Sequence, residues 1–145
     1  MVLQKLGWGH FSTVWLSKDL KYNTFVAMKV QKSAQHYIEA AYDEVEILQE
    51  LDKHNYDPNW EESLKEYWKG KDVSKENERD LSGVVQLLNS FIHQGPNGKH
   101  FCMVFEIMGV NLLEIIKRYN YKGVKIYLKK NFSLKIFFYL LYFIR

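Results

Sequence analysis

Four residues near the start of the chain could form a site for a phosphate-bearing ligand. Gly7 and Gly9 carry no Cβ atom, so their backbone N–H groups can approach phosphate oxygens closely. Lys29 could supply a cation for those phosphates, and Glu44, fifteen residues further on, could hold that cation in position. Residues of these types in this order indicate nucleotide binding.

The segment after the glycines decides which kind of loop they form, because a glycine pair alone is common in tight turns. A dinucleotide-binding loop opens a helix, whereas this loop continues into the strand-forming run Thr13-Val14-Trp15-Leu16. A Walker loop requires Gly-Lys-Ser/Thr, which this loop does not have. The remaining interpretation is a glycine hairpin that lies over the phosphates.

Strand-forming segments around the glycine pair predict a small antiparallel sheet. Residues 2–6 and 13–16 flank the turn, and residues 25–30 form a third strand-like segment. Connections this short require the three strands to run antiparallel. Two more strands are predicted at 84–88 and 100–106, on either side of a Gly-Pro-Asn-Gly turn.

A helix is predicted after the third strand, with Ser33 as its cap. Glu44 lies about 40° around this helix from Leu48, at the edge of the apolar stripe. A carboxylate at the border of a buried face needs a cation or hydrogen-bond donors nearby. The alternative is an ordinary solvated glutamate beside the stripe. The stripe consists of Ile38, Ala41, Val45 and Leu48.

A strand lysine that pairs with a glutamate on the next helix is the arrangement of protein kinases, in which the lysine holds the α- and β-phosphates. Ala27, two residues before Lys29, leaves room for an adenine ring. The run from Lys5 to Leu16 resembles the glycine-rich loop of the SR-protein kinases almost letter for letter. Further similar segments lie at Phe25–Val30, Gly95–Gly98, Met103–Glu106 and Asn111–Lys117.

The resemblance implies a role for each residue around the nucleotide. Lys29 and Glu44 would form the activating ion pair. Ser12 stands where most kinases have a third glycine, and the SR-protein kinases share that serine. The triphosphate would be covered by Gly7, Gly9 and Ser12, and the adenine would be enclosed by Leu6, Val14 and Ala27.

The resemblance also places three residues at the back of the adenine pocket. Phe105 would be the gatekeeper, although a core phenylalanine on a strand explains the pattern equally well. The backbone carbonyl of Glu106 and the backbone amide of Met108 would pair with the adenine edge.

The implied fold class is α+β: the small lobe of a protein kinase, with a five-stranded antiparallel sheet and one helix. Residues 1–109 would form this lobe, including a polar insertion at 52–83 and a hinge at 106–110. Residues 111–124 would begin the large lobe, and residues 125–145 do not match the family.

The motifs that complete a kinase are missing from the sequence. No Asp follows Asn111, so the His-Arg-Asp and Asp-Phe-Gly motifs, which orient the substrate and bind metal, are absent. The match therefore predicts a piece of a kinase that holds no metal ligands and is inactive alone. In residues 125–145, six residue types account for 19 of 21 positions, which favours translated intron over the alternative of a divergent buried helix.

Charge and composition exclude other classes of function. The net charge is +3, but five basic and no acidic residues lie in 125–145, so residues 1–124 carry −2 and a nucleic-acid footprint has little support. The longest uncharged apolar run, residues 136–144, is too short to cross a membrane. Cys102 is the only cysteine, which excludes an intrachain disulfide and suits a reducing compartment.

Two functions follow from these observations. The first is an ATP-dependent serine/threonine kinase that uses Mg²⁺; the resemblance implies serines in Arg/Ser-rich proteins as substrates, and the cytoplasm and nucleus as location. The second is a catalytically inactive module that binds nucleotide or docks on a partner. Lys29 and Glu44 favour descent from an active enzyme, whereas the missing motifs favour an inactive chain.

Overall fold

A computed structural model describes residues 1–54, 58–59, 62–63, 66, 69, 85–109 and 112–122. Most of the insertion predicted at 52–83 and the whole tail predicted at 125–145 lie outside the described residues. The strands are β1 (Val2–Trp8), β2 (Ser12–Asp19), β3 (Thr24–Gln31), β4 (Leu87–Gly95) and β5 (Gly98–Phe105). The helices with defined bounds are α1 (Gln35–His54) and α2 (Leu112–Arg118).

The five strands form one sheet in the order β1-β2-β3-β5-β4, and every neighbouring pair is antiparallel. This architecture confirms the predicted fold class of a five-stranded antiparallel sheet with a helix. The pairing of β3 with β5 places the middle of the sheet where α1 can cover it. The sheet therefore brings residues near 14, 29 and 103 side by side, although they are distant in sequence.

The predicted position of the fourth strand is wrong. The apolar run at 84–88 suggested a strand there, but β4 begins only at Leu87 and continues to Gly95. Residues 89–95 are a poor strand by composition, because polar Asn89, Ser90 and Gln94 interrupt the apolar residues. They are strand because the tight turn before Gly98 folds them back onto β5, which supplies their hydrogen-bond partners.

Helix α1 covers one face of the sheet with the predicted stripe. Ile38, Ala41, Val45 and Leu48 are buried, and they pack in one cluster with residues of β5. Burial of a side chain the size of Ile38, Val45 or Leu48 contributes about 1.5–3 kcal/mol. The helix is thereby held over the middle of the sheet. The β5 members of the cluster are Phe101, Met103 and Phe105.

The turn between β4 and β5 approaches the start of α1. Gly98 has φ of +110°, which side-chain-bearing residues rarely adopt, and a Cβ atom there would lie 3.1 Å from Cβ of Ser33. The first helical hydrogen bonds are accepted by the carbonyl of Ala34. The N-cap position is therefore Ala34, one residue after the predicted Ser33. Ser33 instead packs against the hairpin.

The chain divides into two compact units, residues 1–49 with 85–109, and residues 50–84 with 110–144. The first unit contains the sheet and most of α1. In the second, α2 is followed by two residues with left-handed backbone, Asn120 and Tyr121, and the Tyr121 N–H donates to the carbonyl of Ile116. None of the helices among the described residues is long and apolar enough to cross a membrane. The predicted domain boundaries stay predictions.

Candidate functional site

Lys29 and Glu44 form a buried ion pair. The Lys29 ammonium donates to both carboxylate oxygens of Glu44, with Nζ to Oε1 at 2.8 Å and Nζ to Oε2 at 2.9 Å. Each residue is only 7% exposed. Charges removed from water to this degree are tolerated only when they are paired. Glu44 is therefore held at the sheet, and the alternative of a solvated glutamate beside the stripe is wrong.

The packing of α1 on the sheet explains why these two residues meet. Lys29 lies on β3 between Val14 of β2 and Met103 of β5, which are its cross-strand partners. Met103 belongs to the cluster under the helix, and so does Val45, the residue next to Glu44. The apolar stripe of the helix thus carries Glu44 to the lysine.

The glycine hairpin has an open surface. Its turn is closed by a hydrogen bond from the Gly9 N–H to the carbonyl of Ser12, 2.8 Å long, and it is tied to β3 by a bond from the Lys32 N–H to the carbonyl of Phe11. A Cβ atom added at Gly7 or Gly9 would meet no atom within 4 Å, and neither residue has a positive φ. Neither crowding nor backbone conformation in the described part of the chain requires these glycines. The expectation that the Gly9 N–H is free for a phosphate oxygen is wrong in this structure, because that N–H is donated to Ser12. The missing side chains still leave room for a ligand beside the backbone.

Cross-strand register brings several of the expected nucleotide-binding residues onto one face of the sheet. Gly7 is opposite Val14, and Val14 is opposite Lys29. Ala27 lies two residues before Lys29, on the same face, and is opposite Phe105. Helix α1 packs on this face at its β5 end, and Val14 on the same face is also buried.

The structure places two of the expected residues apart from that row. Leu6 is on β1 and half exposed, with no register partner between Lys5 and Gly7, where the β1–β2 pairing shifts. Ser12 opens β2 opposite Gln31 and is buried. Their contact with a nucleotide stays a prediction.

At the end of β5 the chain enters the expected hinge. Phe105 is buried in the cluster beneath α1. It is therefore a core residue whether or not it also contacts a ligand. Glu106 and Met108 follow and are partly buried. The Glu106 N–H donates to the carbonyl of Gln86 at 3.3 Å, and the Gln86 N–H donates to Oε1 of Glu106 at 2.9 Å. Sequence reasoning missed Gln86, since no motif marks a residue that acts through its backbone.

Other reactive groups contribute little to this site. Burial raises the pKa of the Cys102 thiol, and a hydrogen bond to the backbone of His93 opposes that shift in part. The thiol thus stays protonated and is a weak nucleophile. Among the described residues, no group of three or more His, Cys, Asp or Glu side chains could hold a metal ion.

A five-stranded antiparallel sheet whose third strand carries a lysine ion-paired to a glutamate of the following helix defines the small lobe of a protein kinase. A crystal structure of a kinase domain matches this fold with a TM-score of 0.61 and 27% sequence identity. The match covers 87% of this chain and 29% of that one. No family model matches the chain.

Proteins similar in sequence indicate which group of protein kinases the chain resembles. The chain is 45% identical over 130 residues to the serine/threonine-protein kinase SRPK of Physarum polycephalum, covering 89% of this chain. It is 41% identical over 133 residues to the serine/threonine-protein kinase SKY1 of Saccharomyces cerevisiae, covering 92% of this chain. It is 42% identical over 125 residues to SRSF protein kinase 3 of Mus musculus, covering 86% of this chain.

The chain belongs to the SR-protein kinase family of serine/threonine protein kinases. It spans 25% of the length of the Physarum relative, 16% of the yeast relative and 19% of the mouse relative. The kinase features that the structure describes in this chain are the sheet, helix α1 and the ion pair.

Proposed function

We propose that this chain is the ATP-binding lobe of a kinase that transfers the γ-phosphoryl group of ATP to serines of Arg/Ser-rich proteins. The observation that carries the proposal is the buried ion pair of Lys29 and Glu44, in which the lysine Nζ lies 2.8 Å from Oε1 and 2.9 Å from Oε2 of the glutamate. A buried ion pair on a ligand-facing sheet has a net cost or a small gain in stability, so its presence is better explained by function. The relatives' names support the serine/threonine class and the SR-protein type.

Each residue of the site would act on one part of the nucleotide. Lys29 would bind the α- and β-phosphates, and Glu44 would fix the position of the lysine ammonium. The backbone of Gly7 and Gly9 would cover the phosphates and exclude water from them. Val14 and Ala27 would pack on the adenine ring.

Mg²⁺, when bound with ATP, neutralises charge that develops on the phosphates during transfer. The residues that hold it in kinases lie in the catalytic loop and in the Asp-Phe-Gly motif, and this sequence has no Asp after Asn111. The proposed role of this 145-residue chain is therefore nucleotide binding, and phosphoryl transfer is proposed for a longer protein that includes those motifs.

A calorimetric titration of the purified chain with ATP tests the binding step. We expect saturable binding of ATP, and at least tenfold weaker binding by Lys29→Met, because the cation for the phosphates is removed. Lys32→Met is the matched control, since Lys32 is exposed three residues further along and is expected to leave the affinity within about twofold. Failure of the unmodified chain to bind ATP would contradict the proposal for this chain and favour the partner-docking alternative.

A chimera tests the transfer step. Residues 1–122 replace the matching segment of the yeast relative, and transfer from ATP to an Arg/Ser-rich peptide is measured. We expect activity from the chimera and a loss of about a hundredfold or more with Lys29→Met. Near-normal turnover in that variant would contradict the role of Lys29.

A further inference from the structure

The tip of the glycine hairpin contacts helix α1 through aromatic rings. The centroid of the Phe11 ring lies 5.4 Å from that of the Tyr37 ring, and the two planes are inclined at 59°. The His10 ring lies 5.0 Å from Phe11 and is nearly perpendicular to it, and the His36 ring lies 4.0 Å from Tyr37. These four side chains form a continuous ring row from the hairpin to the first turn of the helix.

The contact involves one of the two large aromatic residues of the hairpin and not the other. Trp8 is 73% exposed, whereas Phe11 is only 37% exposed although it lies at the turn. The main chain of Phe11 is also held, because its carbonyl accepts a hydrogen bond of 2.9 Å from the Lys32 N–H just after β3. The turn is therefore attached through its backbone to the end of β3 and through its ring to α1.

The helical partner of Phe11 lies on the same side of α1 as the glutamate of the ion pair. Tyr37 and Glu44 are seven residues apart, which places them about 20° apart around the helix and about 10.5 Å apart along it. The helix is hydrogen-bonded throughout this interval, so the two residues move together. A displacement of Glu44 from Lys29 would also displace the ring against which the hairpin packs.

We propose that Phe11 and Tyr37 are positioning residues that couple the glycine hairpin to the helix of the ion pair. The cover of the phosphates and the lysine that binds them then take up their positions together. This inference rests on the proposed nucleotide site. An aromatic pair changes an equilibrium constant by about twofold to tenfold, which is enough to favour one arrangement of the hairpin.

The first test needs no nucleotide. Amide hydrogen exchange is measured for the N–H groups of Gly9 and Lys32, whose hydrogen bonds hold the hairpin turn. Tyr37→Ala removes the ring from the helix and is expected to speed exchange at both amides by about twofold to tenfold. Tyr37→Phe keeps the ring and is expected to leave both rates unchanged.

Tyr42→Ala is the matched control for this measurement. Tyr42 is on the same helix, and its ring packs on Phe101 of β5 at 4.8 Å. The control therefore loses a ring contact between α1 and the sheet but none with the hairpin, and the two hairpin amides are expected to exchange at their original rates. Unchanged exchange with Tyr37→Ala, or an equal increase with Tyr42→Ala, overturns the coupling.

The second test compares ATP with adenosine, which lacks the phosphates that the hairpin would cover. Phe11→Ala and Tyr37→Ala are each expected to weaken ATP binding about twofold to tenfold and to leave adenosine binding unchanged. The double variant is expected to lose no more than either single variant, because both act through one contact. Equal weakening of ATP and adenosine would be the effect of general structural damage and overturns the inference alone. No binding of ATP by the unmodified chain overturns the proposed function and the positioning role with it.

Discussion

The buried ion pair and the glycine hairpin differ in what holds them in place. Lys29 and Glu44 are surrounded by the chain's own residues, and the packing of α1 on β5 fixes the distance between them. Gly7 and Gly9 have no neighbour where a side chain would project, so nothing in the described chain requires them to be glycine. Internal packing thus determines one half of the proposed site, whereas in the other half the packing of the described chain leaves the choice of residue open. Mutations in the two halves should therefore affect different quantities.

The largest effect is expected from removing one member of the ion pair. Glu44→Ala leaves the Lys29 ammonium buried without that carboxylate and creates a cavity, so the free energy of unfolding should fall by about 3–5 kcal/mol. Urea denaturation followed by circular dichroism measures it. The exposed Glu39→Ala is the matched control and should change stability by less than about 0.5 kcal/mol. A loss below about 1 kcal/mol for Glu44→Ala would mean that packing does not fix this half of the site.

An intermediate effect is expected at Gly98, the one glycine with a positive φ in the part of the chain that the structure describes. Gly98→Ala introduces a Cβ atom 3.1 Å from Cβ of Ser33 at a φ of +110°, so we expect a loss of about 1–3 kcal/mol. Ser33→Gly in the same chain relieves the contact but not the strained backbone, and should recover only part of the loss. Full recovery would show that crowding alone makes this position a glycine.

The smallest effect on stability is expected in the hairpin. Gly9→Ala meets no atom within 4 Å, so the free energy of unfolding should change by less than about 1 kcal/mol in either direction. ATP affinity should nevertheless fall severalfold, because the added methyl group faces the phosphates. The same unfolding and titration measurements apply. A large loss of stability with unchanged affinity would reverse the comparison between the two halves.

The same contrast explains what could be predicted from the sequence. Helical geometry predicts that Glu44 lies at the edge of the apolar stripe, and the protein-kinase arrangement of a strand lysine and a helix glutamate then predicts its pairing with Lys29. The proposed roles of Gly7 and Gly9 could be inferred only from their context and from the family resemblance, because those roles concern a ligand and not the chain's own packing. Contacts with that ligand stay predictions.

Two features could not be predicted, and both depend on pairing between distant segments. The bounds of β4 are set by β5 through the tight turn, and the polar residues of β4 hide this from composition. The two bonds between Gln86 and Glu106, one accepted by the Gln86 carbonyl and one by the Glu106 carboxylate, form only because the fold brings these two distant segments together. Neither leaves a pattern in the residue types.

The strand order also bears on how this protein tolerates changes in chain length. β3 and β5 are neighbours in the sheet, yet α1, residues 55–86 and β4 separate them in the chain. The entropic cost of closing such a loop rises only logarithmically, by about 0.6 kcal/mol for each doubling of its length. A change in the number of residues between α1 and β4 is accordingly expected to have little effect on the free energy of folding. The folding rate is affected more, because folding slows as the contacts that must form become more distant in sequence.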